Sequence, residues 1–271
     1  MTVRQLKASI EQRVSKTDAA LLLKLTLGTD STGLILKADE EVHQNLVILS
    51  LKYAEMVASG TPIQHLLGEW EFYGINLTVN KNVLIPRADT ETLVDEALKV
   101  IKKGDRVADI CTGSGCIAAA IAGNADCSVT AVELSDKAIA VAKKNLEPFE
   151  NVEIIKADVL EDPDEKLIGM FDVIVSNPPY IRSEDIKKLD KNVQNEPIMA
   201  LDGGSDGLTF YRAIFNKWKA LLKEGGKMLV EIGYDQAEDV AQMLENAGFC
   251  EVKCIRDTCQ NDRVIIGTLK T

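Results

Sequence analysis

Apolar residues in the first 68 positions follow helical spacing, without the alternation that is typical of half-buried strands. A leucine-rich run that ends at Gly28 predicts an amphipathic helix with a glycine cap. A longer helix is predicted from Asp39 to Ser59, with acidic residues in its first turn. Pro62 and Gly68 predict the start and the end of a short third helix. We therefore expect the chain to begin with a small helical bundle.

Residues 70–86 change to a strand-like composition. Two β-rich runs flank Asn80-Lys81-Asn82, which predicts a β-hairpin that turns there. We interpret residues 70–88 as a hairpin connector between two domains, residues 1–69 and residues 89–271.

From residue 89 onward, β-rich runs and helical patterns alternate along the chain, which predicts an α/β domain with a mostly parallel, doubly wound sheet. The last two runs are too close for a crossover helix and should pair antiparallel. Seven strands that end in an antiparallel pair are typical of class I, Rossmann-like methyltransferases rather than of dinucleotide dehydrogenases. The strands are predicted at Arg106–Cys111, Ser128–Glu133, Val152–Ala157, Phe171–Asn177, Lys227–Ile232, Glu251–Arg256 and Arg263–Leu269. Two of the helices are predicted at Ser135–Leu146 and Asp235–Ala247.

The composition narrows the class of partner. A net charge of −11 argues against a basic surface for nucleic acid, so no direct nucleic-acid contact is expected. No run approaches the ~20 apolar residues of a membrane span, and residues 1–7 lack the apolar core of a signal peptide. We expect a cytoplasmic protein without a membrane partner.

Six cysteines raise the question of a metal site or of disulfides. No Cys-x-x-Cys pair occurs, and the two histidines, His43 and His65, lie far from every cysteine. We expect reduced thiols and no metal, including at Cys250, Cys254 and Cys259.

The segment Asp109-Ile-Cys-Thr-Gly-Ser-Gly115 follows a predicted strand and leads into an apolar helix. Its glycines would let a ligand approach the backbone at the carboxyl end of the sheet, although such loops also occur as plain structural turns. Glu133 ends the next strand, 20 residues beyond Gly113, an offset that suits a carboxylate bound to ribose hydroxyls. Asp158, after the third strand, is placed to face an adenine. A solvated strand-end carboxylate is the plainer alternative for Glu133, and an adenosine cofactor explains both features together.

Ser176-Asn177-Pro178-Pro179-Tyr180 follows the fourth strand. Two consecutive prolines cannot continue a central strand, so the chain must turn at the ligand face. The Asn177 side chain and the Pro178 carbonyl could accept both N–H groups of a planar amine or amide, and Tyr180 offers a stacking face. The plain alternative is a proline-rich turn without a role. In combination with the glycine loop, this motif predicts an S-adenosylmethionine-dependent N-methyltransferase that acts by orienting the nitrogen.

Adenine-amino methyltransferases and protein glutamine methyltransferases share the Asn-Pro-Pro-Tyr motif, and the surrounding residues distinguish them. Five segments matter: Gly68-Glu-Trp-Glu-Phe-Tyr-Gly74, Ile85-Pro-Arg-Ala-Asp-Thr-Glu91, Asp109-Ile-Cys-Thr-Gly-Ser-Gly115, Ser176-Asn-Pro-Pro-Tyr-Ile181 and Glu196-Pro-Ile-Met-Ala-Leu201. Together they resemble the HemK/PrmC family, the glutamine N5-methyltransferases of peptide chain release factors. The resemblance extends over nearly the whole chain.

The resemblance implies roles for individual positions. The partner would be a peptide chain release factor with its Gly-Gly-Gln loop, gripped in part by the N-terminal helices. The residues implied to bind S-adenosylmethionine are Asp109, Cys111, Thr112, Gly113, Ser114, Gly115, Glu133, Asp158, Val159 and Asn177. The residues implied to bind the substrate are Ile85, Arg87, Asn177, Pro178, Pro179, Tyr180 and Glu196, of which Asn177, Pro178 and Tyr180 would be catalytic.

Three positions depart from the family pattern. Cys111 replaces the first glycine of the loop, Ala88 replaces a proline, and Val159 stands where some members carry an aromatic residue. We expect these changes to alter the affinity for the cofactor rather than the activity. Arg87, Asp89 and Glu91 could contact the substrate or form ion pairs at a helix start.

Other functions stay open on the sequence. A sibling enzyme that methylates a glutamine of a ribosomal protein would carry similar motifs. An adenine-N6 or guanine-N2 nucleic-acid methyltransferase would need a basic face or a target-recognition domain. A non-catalytic adaptor should have a damaged acceptor motif, whereas Asn177–Tyr180 is intact.

Overall fold

The computed structural model describes residues 1–270. The helices are, in chain order, α1 (Val3–Glu11), α2 (Lys16–Leu27), α3 (Ser31–Leu36), α4 (Gln44–Ala58), α5 (Ile63–Leu67), α6 (Glu91–Val100), α7 (Cys116–Asn124), α8 (Asp136–Leu146), α9 (Lys191–Gln194), α10 (Thr209–Asn216) and α11 (Ala237–Asn246). The strands are β1 (Glu69–Phe72), β2 (Ile75–Thr78), β3 (Arg106–Ile110), β4 (Ser128–Glu133), β5 (Val152–Lys156), β6 (Phe171–Ser176), β7 (Leu222–Glu231), β8 (Phe249–Arg256) and β9 (Asp262–Leu269).

Two compact units divide the chain. The smaller contains Met1–Gly68 together with Leu189–Asn195, and the larger contains Glu69–Lys188 together with the chain from Glu196 onward. The domain limits proposed from the sequence stay predictions. No helix within residues 1–270 has the length and apolar character to cross a membrane.

The smaller unit is a helical bundle, as predicted. Its fully buried residues come from α1, α2 and α4 and include Leu6, Ile10, Leu22, Leu23 and Ala54. Burial of such side chains contributes about 1.5–3 kcal/mol each relative to exposure, which is the main stabilising term of a bundle this small.

The ends of the predicted helices are partly right. The predicted glycine caps are confirmed, because α2 ends at Gly28 and α5 ends at Gly68. The helix predicted from Asp39 begins at Gln44, so no acidic residue lies in its first turn. Residues 38–41 instead run beside the start of α1, where the Val3 and Arg4 N–H groups bond to their carbonyls. Pro62 precedes α5 rather than beginning it.

The hairpin forms, but its turn lies earlier than predicted. Strands β1 and β2 pair antiparallel around Tyr73-Gly74, and the Asn80-Lys81-Asn82 turn was therefore wrong. Tyr73 and Gly74 have φ values of 52° and 73°, the two positive values that a two-residue type I′ turn requires. Glycine meets that requirement without strain, whereas the asparagines lie beyond the end of β2.

The seven-stranded sheet has the order β5-β4-β3-β6-β7-β9-β8. Strands β3 to β7 pair with one another in parallel. Strand β9 is antiparallel to both β7 and β8, which confirms the predicted fold class. Strand β7 begins at Leu222, five residues before its predicted start at Lys227, because Leu222 already pairs with Phe171 of β6.

Separate apolar clusters cover the two faces of the sheet. On one face, α6, α7 and α8 pack on the sheet together with Phe72 and Leu77 of the hairpin. On the other face, α10 and α11 pack on the sheet. Tyr211 and Phe215 of α10 and the nearby Trp218 are buried there. With both faces covered, the carboxyl ends of the parallel strands are the place where a small ligand can approach the sheet.

Candidate active site

The carboxyl ends of β3, β4, β5 and β6 open onto a cavity of about 530 Å³. Small-molecule sites have volumes of about 300–1,000 Å³, so the space suits a nucleoside-sized ligand. The charged side chains of its lining are Glu133, Asp158 and Asp202 against Arg87. This excess of carboxylates favours a ligand that carries positive charge.

Asp109 fixes the conformation of the glycine loop through hydrogen bonds. Its Oδ2 accepts hydrogen bonds from the Thr112 hydroxyl and from the Ala118 N–H, at 3.1 Å, in the first turn of α7. Gly115, which precedes α7, offers no side-chain cap, so Asp109 satisfies a helix N–H that would otherwise be unpaired. Burial raises the pKa of Asp109 to about 7, against the lowering effect of the Thr112 and Ala118 hydrogen bonds.

Gly113 presents its backbone to the cavity. Its φ is +57°, and a Cβ placed there would meet no other heavy atom within 4 Å. Its N–H donates to Glu133 Oε2 at 2.9 Å. The loop therefore leaves open space for a ligand beside a fixed carboxylate.

Glu133 is oriented by three backbone donors. Besides the Gly113 bond, Oε1 accepts from the N–H groups of Leu134 and Ser135 at 2.9 and 2.8 Å. A carboxylate accepts about four hydrogen bonds, so acceptor capacity is left for a hydroxyl at the cavity wall. These residues fit the ribose of an adenosine ligand.

Asp158 and Val159 line the cavity beyond the end of β5. Asp158 Oδ1 accepts the Leu160 N–H at 2.9 Å, which closes a tight turn, and Val159 is buried. An adenine ring in this part of the cavity would meet an aliphatic wall and one carboxylate.

Cys111 adopts a conformation that suits glycine. Its φ is +64°, in the left-handed region, at the position where the family pattern has the first glycine. Burial raises the pKa of the Cys111 thiol far above its ordinary value, with further raising by Glu133 and Asp109. The thiol is therefore protonated at neutral pH and behaves as a small apolar side chain.

The other cysteines also hold free thiols. Cys250 and Cys254 lie on β8, and Cys259 lies in the turn before β9. No cluster of three His, Cys, Asp or Glu side chains suited to a metal ion occurs in the described part of the chain.

Asn177 follows β6, which pairs directly with β3, the strand that leads into the glycine loop. Its Nδ2 donates to the hydroxyl of Thr90 at 3.2 Å, and both side chains line the cavity. Within residues 1–270, Asn177 Oδ1 has no hydrogen bond of its own, so it is available to accept one from a ligand. Ser176 Oγ donates to the Ile110 carbonyl at 2.6 Å and so fixes the end of β6 to β3.

Tyr180 points away from the cavity. Its hydroxyl donates to Glu231 Oε1 at 3.3 Å, and its carbonyl accepts the Gln236 side-chain N–H at 3.0 Å. These bonds fix the Asn-Pro-Pro-Tyr turn to the loop after β7. In this structure the Tyr180 ring is therefore not a stacking face in the cavity wall.

Glu196 also lies behind the cavity wall. Its side chain is 1% exposed, and its two oxygens accept hydrogen bonds from the Arg87 guanidinium and from the Ile85 N–H, the latter at 2.8 Å. The ion pair holds Arg87 at the cavity wall, whereas Glu196 and Ile85 do not line the cavity.

The other charges of the Ile85–Glu91 segment have separate partners. Asp89 lies 3.4 Å from the guanidinium of Arg263, and Glu91 Oε1 accepts the Tyr73 N–H at 3.0 Å. The side chains of Arg87, Asp89 and Glu91 therefore do not form a single ion-pair cluster.

The structure brings ten of the predicted residues to the cavity wall and leaves six behind it. The ten are Arg87, Cys111, Thr112, Gly113, Ser114, Glu133, Asp158, Val159, Asn177 and Pro179. The six are Ile85, Asp109, Gly115, Pro178, Tyr180 and Glu196. Their roles in binding and catalysis stay predictions.

Sequence reasoning missed Thr90 and the apolar rim. Thr90 stands at the start of α6, where a threonine usually caps the helix, but it makes no capping bond and bonds to Asn177 instead. Ile198 and Met199 line the cavity and are also exposed, by 63% and 50%. The segment Glu196–Leu201 was the only signal for this rim.

Comparisons with known proteins show the family of the chain. Residues 88–258 match the model of the methyltransferase small domain, and residues 2–68 match that of the PrmC N-terminal domain. The release factor glutamine methyltransferase of Clostridium acetobutylicum is 41% identical over 256 residues, covering 92% of this chain and 90% of the relative. That of Geobacter sulfurreducens is 38% identical over 258 residues, covering 94% and 90%.

Among solved structures, a methyltransferase from Pyrococcus furiosus is similar with a TM-score of 0.57 and 19% identity, over 74% of this chain and 91% of that one. A ribosomal protein L11 methylase from Lactobacillus delbrueckii subsp. bulgaricus is similar with a TM-score of 0.50 and 22% identity, over 71% and 84%. At these identities the likeness shows the fold alone.

Proposed function

The chain belongs to the family of release factor glutamine methyltransferases, and from this premise we propose that it methylates the side-chain amide nitrogen of a glutamine in a peptide chain release factor. The glutamine is that of the Gly-Gly-Gln loop, and the methyl donor is S-adenosylmethionine. The observation that supports this best is Asn177, whose Nδ2 is held by Thr90 so that Oδ1 is left to accept an N–H in the cavity. Release factors act on the ribosome, so we assign the enzyme to the cytoplasm.

The cavity supports a cationic adenosine donor. Glu133 would accept ribose hydroxyls, and the open backbone of Gly113 would lie against the ligand. Asp158 and Val159 would face the adenine. When bound, S-adenosylmethionine supplies a methyl group on a positively charged sulfur, which the excess of carboxylates in the lining favours.

The acceptor side would work by orientation. An amide nitrogen is a weak nucleophile because its lone pair is delocalised, and no side chain can deprotonate it outright near pH 7. Asn177 Oδ1 would accept one of its N–H groups, and the resemblance gives the second to the Pro178 carbonyl. Orientation of this kind is worth on the order of 7–11 kcal/mol in favourable cases.

The transfer balances without a further reactant. A nitrogen–carbon bond forms as the sulfur–carbon bond breaks, and the electron pair of the broken bond stays on sulfur. The nitrogen then gives one proton to solvent, which leaves N5-methylglutamine and S-adenosylhomocysteine. Asn177 also stabilises the positive charge that develops on nitrogen.

Arg87 would bind the substrate protein beside the reacting amide. Its guanidinium is held by Glu196, which also fixes the Ile85 N–H, so Arg87 is pre-organised. The N-terminal helices would help to grip the release factor, as the resemblance implies.

Label transfer tests the proposal directly. The purified protein is incubated with methyl-labelled S-adenosylmethionine and a release factor, and in parallel with the same factor carrying alanine in place of the loop glutamine. We expect label on the intact factor only, and none with the Asn177→Ala protein. Label on ribosomal protein or on nucleic acid, with none on the release factor, would contradict the substrate assignment and favour one of the rival enzymes.

A further inference from the structure

A buried carboxylate lies behind the acceptor wall, which is the part of the cavity wall that Asn177 and Thr90 form. Glu231 is the last residue of β7 and is 1% exposed. Its Oε1 accepts the Tyr180 hydroxyl at 3.3 Å. The Thr90 hydroxyl lies close enough to this carboxyl group to lower its pKa, and Glu231 Oε2 has no hydrogen-bond partner of good geometry within residues 1–270. Glu231 does not line the cavity, and nothing in the proposed chemistry uses it.

Thr90 lies between this carboxylate and the side-chain amide of Asn177. Asn177 Nδ2 donates to Thr90 Oγ1, and the Thr90 hydroxyl faces Glu231. The three residues come from β6, from the start of α6 and from β7, so they meet only in the folded larger unit. On the same carboxylate, Tyr180 connects Glu231 to the end of the Asn-Pro-Pro-Tyr turn.

We propose that Glu231 is a positioning residue that accepts the proton of the Thr90 hydroxyl, sets the direction of the Asn177–Thr90 hydrogen bond and thereby turns the Asn177 carbonyl oxygen towards the substrate amide. The inference rests on the proposed function and deepens it.

The direction follows from the donors and acceptors present. An ionised carboxylate only accepts, so the single proton of the Thr90 hydroxyl is directed to Glu231. Thr90 can then only accept from Asn177, which must present its NH2 group to Thr90. The Asn177 Oδ1 is left for the cavity, where a substrate NH2 needs an acceptor.

Without the negative charge, the direction of these hydrogen bonds is free to reverse. A protonated or amidated Glu231 could donate to Thr90, whose own proton would then go to Asn177 Oδ1. The Asn177 NH2 would face the cavity and oppose the NH2 of the glutamine, donor against donor. A threonine alone does not choose between the two arrangements, because a hydroxyl both donates and accepts.

Burial makes this control sensitive to pH. Burial raises the pKa of Glu231 to about 7. The Thr90 hydrogen bond, the charge of Arg263 and the Tyr180 hydrogen bond lower that pKa, and the charge of Asp89 raises it. Arg263 lowers it only in part, because its guanidinium is also paired with Asp257 at 3.1 Å. The groups that face Glu231 are Thr90 and Asp89 before α6, Cys116 on α7, Tyr180 after β6, Tyr211 on α10 and Arg263 on β9.

The sign of the pH effect follows. Above about pH 7 Glu231 is ionised and Asn177 is correctly oriented. As the pH falls through that value, Glu231 takes up a proton and the fraction of correctly oriented enzyme falls. At saturating S-adenosylmethionine, the wild-type kcat should therefore decline on the acid side of pH 7. Protonation of Asp109, whose pKa is also about 7, would instead change the affinity for S-adenosylmethionine through the glycine loop.

Steady-state methylation of a release factor by Glu231→Gln tests the proposal. Glutamine keeps the shape of the side chain and removes its charge. We expect kcat at pH 8 to fall roughly 10- to 100-fold, the range typical of residues that orient a catalytic group. The KM for the release factor and the dissociation constant of S-adenosylmethionine should stay near their wild-type values. At saturating S-adenosylmethionine, the acid limb of the kcat profile should be absent, because the group that sets it has been removed.

Thr90→Val and Thr90→Ser provide a matched pair that separates direction from packing. Valine keeps the shape and removes the hydroxyl, so kcat should fall as with Glu231→Gln. Serine keeps the hydroxyl and should restore most of the activity. If Glu231→Gln does not fold, this pair and the wild-type pH profile still decide the question.

The outcomes separate this inference from the proposed function. A wild-type protein that does not label the release factor overturns the proposed function and this inference with it. A wild-type protein that does label it, beside folded Glu231→Gln and Thr90→Val proteins with wild-type kcat, overturns the inference alone. An acid limb that persists unchanged in Glu231→Gln does so as well.

Discussion

The two walls of the cavity are built in different ways. The donor wall, formed by Gly113, Glu133 and Asp158, is held by contacts that are short in sequence, such as the Gly113–Glu133 bond across 20 residues. The acceptor wall, formed by Asn177 and Thr90, is held by bonds across 87 residues, and its support at Glu231 contacts Tyr180 across 51. The donor wall is therefore a local assembly, whereas the acceptor wall exists only when three distant elements pack together.

This difference in construction implies a difference in function. The donor wall offers backbone groups and a fixed carboxylate, which suit binding. The acceptor wall offers one oriented side chain, which suits the positioning of a reacting nitrogen. Changes in the donor wall should alter a dissociation constant, and changes in the acceptor wall should alter kcat.

The largest effect is expected at Asn177. Asn177→Ala removes the acceptor that orients the amide and stabilises charge on nitrogen, so kcat should fall roughly 10²- to 10³-fold. Single-turnover label transfer at saturating S-adenosylmethionine measures this loss. Because the resemblance also places Asn177 at the cofactor, calorimetric titration with S-adenosylmethionine is the control, and we expect a change in the dissociation constant much smaller than the loss of kcat. A loss that disappears at higher donor concentration would instead assign Asn177 to the donor wall.

A smaller effect is expected at Glu133, on the dissociation constant of S-adenosylmethionine rather than on kcat. Glu133→Gln keeps the shape, but it turns one oxygen into an NH2 that faces the N–H groups of Gly113 or of Leu134 and Ser135. Hydrogen bonds to a charged group are worth about 1.5–3 kcal/mol, so the dissociation constant of S-adenosylmethionine should rise roughly 10- to 100-fold. Calorimetric titration measures this change.

At saturating S-adenosylmethionine, kcat of Glu133→Gln should recover towards the wild-type value. Glu153→Gln, on the neighbouring strand and outside the cavity lining, is the matched control. A kcat that stays low at saturation would contradict the division between the two walls.

The sequence predicted the donor wall more fully than the acceptor wall, for the same structural reason. The offset from Gly113 to Glu133 spans one strand–helix–strand unit, and local patterns determine such units. Thr90 and Glu231 carry no such pattern, because their partners lie in other elements. Thr90 stands within the Ile85–Glu91 segment, but nothing in that segment indicates its bond to Asn177.

The contacts of the side chains behind the cavity wall could not be predicted from sequence patterns either. Tyr180 and Glu196 stand in the expected motifs, but the structure directs their side chains to Glu231 and to Arg87. A motif states which residues meet at a site and not which atoms face the ligand. The turn of the hairpin was misplaced for a different reason, because Tyr73-Gly74 competed with the asparagines and glycine adopts the required turn more easily.

The smallest effect is expected at Cys111, the one residue of the donor wall with a strained backbone. A left-handed conformation costs a residue with a Cβ roughly 1–2 kcal/mol, and Cys111→Gly removes that cost. Glycine also adds about 0.4–1 kcal/mol of conformational entropy to the unfolded chain, and the packing of the thiol is lost. We expect the free energy of unfolding to stay level or to rise by about 1 kcal/mol, as measured by urea denaturation at unchanged m-value.

Cys111→Ala separates the two contributions, because alanine loses the thiol and keeps the Cβ that causes the strain. Cys111→Gly should therefore be the more stable of the two variants, and both should retain kcat, since neither touches the acceptor wall. A Cys111→Gly protein less stable than Cys111→Ala would mean that the buried loop tolerates the left-handed cysteine without cost. The replacement of the family's first glycine in this chain would then reflect packing alone.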